Sequence, residues 1–138
     1  MRQFLIIGMI ALMQIAQAET ICDAKIALAD ARLNLMMMVM STDNVEQKFL
    51  KKEIDKASLT LENELNNLLK DQNKSNDTQV MIFKKTWATF KYTRENGIIP
   101  AIRAGNNNKA FKIAIGIQSK RMRIMNNIIK TLDGDNCN

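Results

Sequence analysis

Arg94 and Arg121 are charged residues that stand where a helical repeat of this sequence places apolar side chains. Charged side chains are rarely buried without a partner, and the planar guanidinium group donates a fork of hydrogen bonds that suits a carboxylate or an oxyanion. If the two helices that carry them form a hairpin near residue 105, the arginines differ in level by about 6 Å. They are therefore the candidate binding residues for a small anionic ligand. The simpler interpretation is that each arginine reaches water or pairs with an acid such as Asp30 or Glu95.

The methionines Met36, Met40 and Met122 are a second group that could do chemistry. Counting residues along the predicted helices places the three at a similar level. Thioethers suit Cu(I), so the group is a candidate copper site. The alternative is that these flexible side chains fill the core, which is what methionines more commonly do. We predict no other metal site.

The first 18 residues have the three parts of a secretory signal peptide. These are the basic residue Arg2, an apolar stretch over residues 4–16 and the small-x-small sequence that ends at Ala18. The apolar stretch falls short of the ~20 residues that a membrane-spanning helix needs. We therefore predict that residues 1–18 are a signal peptide and that residues 19–138 form one soluble domain, periplasmic or secreted, which is not an integral membrane protein after cleavage.

Cys22 and Cys137 lie near opposite ends of this predicted domain. In an oxidising compartment, two thiols without the spacing of metal ligands most often form one disulfide, although free or intermolecular thiols are the alternative. A disulfide requires Cα atoms within about 7 Å of each other. The pairing therefore predicts that both ends of the domain lie at the same end of the fold.

The composition argues against several classes of function. The chain has no histidine, which removes the commonest general base, and it has no glycine-rich phosphate loop or nucleophile elbow. Its net charge of +6 comes from lysines and arginines interspersed with acids, as on a solvated surface rather than a nucleic-acid-binding one. We predict a protein that is not an enzyme, holds no cofactor and does not bind nucleic acid.

The elements that must position these residues are helices, because the chain has one proline, five glycines and apolar residues at helical spacing. The predicted core of the first helix is Ile21, Ala24, Leu28, Ala31, Leu35 and Met38, with a second buried stripe of Cys22, Ile26, Ala29, Leu33, Met36 and Met40. The later cores are Leu50, Ile54, Ala57, Leu61, Leu65 and Leu68; then Val80, Phe83, Trp87, Phe90 and Arg94; then Ala110, Ala114, Ile117, Arg121, Ile124 and Ile128.

The breaks between the four helices carry recognisable signals. Asp43 is a predicted N-cap of the second helix, residues 71–77 are a polar connection, Pro100 should kink or end the third helix, and Gly105 should terminate it. Four helices with short links predict an all-α, antiparallel up-down-up-down four-helix bundle. In that topology the two ends of the chain lie together, which agrees with a Cys22–Cys137 disulfide.

The segment from Trp87 through Arg94, Pro100 and Gly105, followed by the run from Gly116 to Arg121, resembles part of a known sensor. It is similar to the four-helix-bundle ligand-binding domain of bacterial methyl-accepting chemotaxis receptors, in which an aromatic-rich third helix ends in a turn of small residues. The similarity extends to Leu132. It implies a periplasmic bundle that senses small molecules at helix interfaces and takes part in signal transduction.

The sequence departs from those receptors, which carry transmembrane helices on both sides of the bundle, whereas this one ends at Asn138. The resemblance therefore implies a sensor-like module that binds a small anionic ligand or acts through a membrane-bound receptor, with a homodimer as a further option. The alternative is a structural or envelope-stress bundle without a ligand. The layout also resembles the periplasmic b-type cytochrome bundle, but a chain without histidine would be a haem-free relative.

Overall fold

The computed structural model describes residues 2–70, 76–132 and 136–137, with side chains from Thr20 onward, and this part of the chain contains helices and no strand. The elements are α1 (Arg2–Met40), α2 (Asn44–Lys70), α3 (Asp77–Thr93), a π-helical segment (Arg94–Ile98), α4 (Ile99–Arg103), α5 (Asn107–Ile115) and α6 (Ile117–Thr131). The π-helical segment joins α3 and α4 into one rod, and α5 and α6 form another. Each rod packs against the next and the fourth returns to the first, which confirms the predicted four-helix bundle.

The helix α1 runs without interruption from Arg2, so the predicted signal segment and the first helix of the bundle are continuous. Cleavage after Ala18 stays a prediction. Among the described residues, no helix combines the length and the apolar character needed to span a membrane. Most of the predicted polar connection, residues 71–75, lies outside the described residues.

A disulfide between Cys22 and Cys137 closes the bundle, as predicted. The two Cα atoms lie 5.4 Å apart, although 115 positions separate the residues in sequence. Such a long loop restricts the unfolded chain strongly, so the chain-entropy model assigns the cross-link about 4 to 5 kcal/mol of stability.

The face of α1 that enters the core is narrower than expected. All six residues of the predicted seam, from Ile21 to Met38, are buried. The predicted second stripe is wrong for Ala29, which is exposed, and for Ile26, Leu33 and Met40, which are 57%, 59% and 76% exposed. The core continues instead on the other flank of the seam, at Ala27 and Val39. The helical repeat places these exposed residues on the side of α1 opposite the seam.

The N-terminus of α2 is capped where the sequence indicated. The carboxylate Oδ1 of Asp43 accepts hydrogen bonds from the backbone N–H groups of Val45 and Glu46, each at 2.8 Å. Glu46 does not complete a capping box with Asp43 but accepts a hydrogen bond from the Ser41 hydroxyl at 2.5 Å. Both acids at this helix end are therefore engaged locally.

The third rod stays helical through Pro100 by widening one turn. The backbone N–H of Ile99 donates to the carbonyl of Arg94, five residues back, instead of four. This π-helical turn directly precedes α4, and Pro100 lies in the first turn of α4, where a missing N–H donor costs least. The rod ends at Gly105, which has φ of 72°, with Asn106 N–H bonded to Ala101 O at 2.8 Å, as in a Schellman motif.

A break at Gly116, which the helical repeat did not predict, divides the fourth rod. A Cβ atom at Gly116 would lie 2.9 Å from the carbonyl oxygen of Lys112, so a side chain has no room there. The break shifts the inward face by about one residue. The predicted core positions Ile117 and Ile124 are therefore wrong, since they are 45% and 46% exposed, and Gln118 and Met125 are buried instead.

We expect the double substitution Cys22→Ser with Cys137→Ser to lower the free energy of unfolding by about 4 to 5 kcal/mol, because the unfolded chain regains its loop entropy. Urea denaturation of the variant and of the oxidised protein measures the difference. The mass of the oxidised protein should also be lower than that of the reduced form by two hydrogens. Thiols that react readily in the exported protein, or equal stabilities of the two forms, would contradict the prediction.

Candidate functional site

The side chain of Arg94 is completely buried, with 0% exposure, where α3 passes into the π-helical segment. Its Nε donates to Glu95 Oε1 at 2.9 Å, and its Nη1 donates to the Ser58 hydroxyl on α2 at 2.9 Å. Its Cζ lies 5.6 Å from the centre of a Trp87 ring, within cation–π range. The partner of Arg94 within the protein is thus Glu95, one of the two acids that the simpler interpretation named.

One donor of this guanidinium group has no hydrogen bond among the described residues. Arg94 Nη2 lies 2.9 Å from Glu95 Oε1, which makes an ion pair, but the contact is not aligned as a hydrogen bond. A buried donor without an acceptor costs about 1 to 3 kcal/mol. Glu95 therefore balances the charge of Arg94, whereas one hydrogen-bond donor of Arg94 has no acceptor among the described residues.

Arg94 and Glu95 are the first two residues of the π-helical segment. Sequence neighbours do not face each other on a regular α-helix, yet these two side chains form an ion pair at 2.9 Å. The pairing coincides with the widened turn that begins at Arg94. Such single π-turns inside α-helices are frequent at functional sites.

Glu62 on α2 forms a second charged contact with α3. Its Oε1 accepts hydrogen bonds from Trp87 Nε1 at 3.0 Å and from Lys91 Nζ at 2.7 Å. Partial burial opposes ionisation, but the hydrogen bonds from Lys91 and Trp87 and the positive charges of Lys91 and Arg94 outweigh it, so the pKa of Glu62 lies below its ordinary value. Glu62 is therefore a carboxylate at neutral pH.

A cleft of about 580 Å³ opens between α2 and α3 above these contacts. Its lining combines apolar and charged side chains: Leu65, Trp87, Ala88 and Tyr92 with Glu62, Glu95, Lys84 and Lys91. The two carboxylates and the two ammonium groups of this lining balance in charge. Because Glu95 is paired with the buried Arg94, the remaining charges of the lining are those of Lys84, Lys91 and Glu62, which gives the cleft one positive charge in excess.

Arg121, the second predicted arginine, has partners of its own. This half-buried side chain donates from Nη1 to Thr93 Oγ1 at 2.6 Å and to Gln118 Oε1 at 2.9 Å. Gln118 is itself fixed by a hydrogen bond from its Nε2 to the Phe90 carbonyl. Among the described contacts, Arg121 and Arg94 share no acceptor, so the structure does not bring the two onto a single protein group.

The three candidate copper ligands lie in different surroundings. Met36 and Met122 are partly buried and pack against the core, whereas Met40 is 76% exposed. In the described part of the chain, no group of three or more histidine, cysteine, aspartate or glutamate side chains is placed to hold a metal ion.

Sequence reasoning missed Arg32, which bridges the first and fourth rods. Its Nη2 donates to the carbonyl of Ala114 at 2.8 Å and lies 3.4 Å from the Ser119 hydroxyl. Burial lowers the pKa of the Arg32 guanidinium. Arg32 thus binds a carbonyl next to the break at Gly116, and only knowledge of that break would have indicated this role.

The described residues define a disulfide-closed four-helix bundle with a buried arginine beside a charged cleft. A comparison with known proteins places it in no established group, because no protein-family model, no curated protein and no solved structure matches the chain. The resemblance to chemotaxis-receptor sensor domains therefore stays a prediction from residues.

We expect Glu95→Gln to destabilise the fold more than Arg94→Met does. The first change leaves a guanidinium buried without its anionic partner, which costs about 3 to 5 kcal/mol. The second removes the buried charge, and the Glu95 side chain, which is 34% exposed, can then be hydrated, so the expected cost is about 1 to 2 kcal/mol.

Urea denaturation of both variants gives the two free energies of unfolding. Glu53→Gln is the control on α2, because no ion pair joins the Glu53 carboxylate to another described residue. A larger loss in Arg94→Met than in Glu95→Gln would contradict this account of the pair.

The lowered pKa of Glu62 predicts a specific pH dependence of stability. A carboxylate whose pKa is lower in the folded protein stabilises the fold above its unfolded pKa of about 4.3, and this contribution disappears as the pH falls through the folded value. The variant Glu62→Gln should therefore lose less stability than the parent protein between pH 5 and pH 3. Glu64→Gln, a change of another half-buried glutamate of α2, is the control, and an acid response of Glu62→Gln equal to that of the parent would refute the assignment.

Proposed function

We propose that this protein is an exported, sensor-like binding module whose α2–α3 cleft holds a small ligand with one negatively charged group and a flat apolar body. The observation that carries the proposal is the buried Arg94 beside this cleft, because its ion pair engages Glu95 and leaves Lys84 and Lys91 facing the single carboxylate of Glu62. Its volume of about 580 Å³ falls in the range of small-molecule sites, about 300 to 1,000 Å³.

The lining suggests how such a ligand is held. The Lys84 and Lys91 ammonium groups are the cations that the cleft exposes, and they supply donors for a carboxylate. Ala88 and Tyr92, which are exposed, supply the apolar surface for the ligand body, and the almost completely buried Leu65 and Trp87 lie beneath them. The carboxylates of Glu62 and Glu95 are engaged by Lys91 and Arg94, which reduces their repulsion of an anion.

Export and a role in signalling belong to the same proposal. The Cys22–Cys137 disulfide supports an oxidising compartment, in agreement with the signal-like residues 1–18, so we place the protein in the periplasm or outside the cell. The cleft includes Trp87 from the segment that resembles chemotaxis-receptor sensors. A membrane-bound receptor or a second copy of the chain is the proposed partner.

The second candidate is a structural or envelope-stress bundle without a ligand. It needs a tightly packed interior around the buried arginine, and Arg94 itself is completely enclosed. The neighbouring cleft of apolar and charged side chains supports the ligand-binding proposal instead. In the structural alternative, the Arg94–Glu95 pair would serve only to fix how α2 and α3 pack.

A thermal-shift titration tests the proposal with benzoate, which has one carboxylate on a flat apolar ring. A ligand that binds the folded state alone stabilises it by about 2.7 kcal/mol at a hundred times its dissociation constant. We expect benzoate to raise the melting temperature of the parent protein, and the neutral analogue benzyl alcohol to raise it less.

Substitutions in the cleft locate the binding. The double variant Lys84→Gln with Lys91→Gln should abolish the shift caused by benzoate. The control variant is Lys85→Gln with Lys112→Gln, which removes the same charge from exposed positions outside the cleft. This control should preserve the shift. Equal shifts in the two double variants, or no shift in the parent protein, would refute binding of this class of ligand at the cleft.

A further inference from the structure

A second cleft, at the end of the bundle opposite the disulfide, is lined by cations and by no carboxylate. It has a volume of about 590 Å³ and lies between the start of α2 and the end of α4. Four basic side chains contribute to it: Lys48, Lys51, Lys52 and Arg103. This cleft shares no lining residue with the α2–α3 cleft.

The sequence accounts for this concentration of charge. Lys48, Lys51 and Lys52 follow the spacing i, i+3, i+4, which places three ammonium groups on one face of α2. Arg103 comes from α4, on another rod, and completes the set only when the bundle folds. Like charges at this spacing destabilise a helix, so the arrangement has an electrostatic cost in the absence of an anion.

The acids near the cleft do little to neutralise it. Lys51 is paired with Asp55 at 2.6 Å and with Glu95 at 3.5 Å, but Lys48, Lys52 and Arg103 form no ion pair with any described residue. Asp43 is engaged as the N-cap of α2. Glu46 is engaged by the Ser41 hydroxyl. Three cations of the lining are therefore available to a ligand.

We infer that this basic cleft binds a phosphate group, carried either by a small phosphorylated molecule or by an anionic lipid headgroup. A phosphate offers several acceptor oxygens and up to two negative charges, which matches ammonium groups acting as point charges and a guanidinium fork. The site goes beyond the proposed function, since it uses other residues and another ligand chemistry.

Isothermal titration calorimetry with pyrophosphate at low ionic strength tests the free-phosphate source, and vesicle sedimentation tests the lipid source. The vesicles are phosphatidylglycerol mixed with phosphatidylcholine, with pure phosphatidylcholine as the neutral comparison. We expect the full oxidised chain to bind pyrophosphate or the anionic vesicles, and not the neutral ones. Pyrophosphate binding identifies a free phosphate ligand, whereas binding to anionic vesicles alone identifies a headgroup, and both outcomes support the site.

The decisive comparison uses two triple variants with the same net charge. The first variant removes the unpaired cations of the cleft by Lys48→Gln, Lys52→Gln and Arg103→Gln. The second variant removes three exposed cations elsewhere by Lys109→Gln, Lys112→Gln and Lys120→Gln. We expect the first variant to lose about tenfold or more in affinity, because charge-assisted hydrogen bonds are strong, and the second to lose little. All changed residues are exposed, so circular dichroism should show both variants folded.

Two results would overturn the inference. Equal losses in the two triple variants would show attraction by net charge alone, and no binding of either probe by the parent protein would show that the cleft takes no phosphate. The thermal shift caused by benzoate should be unchanged in the first triple variant. The basic cleft and the α2–α3 cleft therefore succeed or fail separately.

Discussion

The burial of the Arg94 guanidinium is the constraint on which the centre of this bundle depends. A fully buried cation is tolerated only with an anionic partner and with acceptors for its donors. Glu95 supplies the charge and Ser58 brings an acceptor from α2, so the contact fixes the rotation of α3 against α2. Trp87 covers the guanidinium, and its indole in turn donates to Glu62. A single buried charge thus accounts for much of the side-chain arrangement around the α2–α3 cleft.

The features predictable from sequence were those that depend on local chemistry or on chain topology. Asp43 capped α2 because its carboxylate accepts hydrogen bonds from the first backbone N–H groups of the helix. Gly105 ended the third rod because a residue without a Cβ atom adopts a positive φ at little cost. The pairing of Cys22 with Cys137 followed from the position of two thiols in an antiparallel bundle. The seams of α2 and α3 were also readable, since the predicted seam positions between Leu50 and Leu65 and between Val80 and Phe90 are buried.

The features that escaped prediction depend on the rotation of helices and on breaks within them. Apolar residues lie on both sides of α1, so periodicity alone could not show that Ile26 and Leu33 face outward. One residue, Gly116, displaced the inward face of the fourth rod. The contact of Glu62 with Trp87 joins two helices 25 positions apart in sequence, and no local pattern encodes it. The candidate site was therefore predictable at Arg94 but not in the residues around it.

The position of the disulfide also determines how the domain bears mechanical load. A pulling force applied to the chain outside Cys22 and Cys137 passes through the covalent bond that joins them, 5.4 Å apart at their Cα atoms. The helices between the two cysteines carry none of that tension as long as the bond is oxidised. The core and both clefts would then keep their geometry under a load that extends the flanking segments, and reduction would expose the whole bundle to the same force.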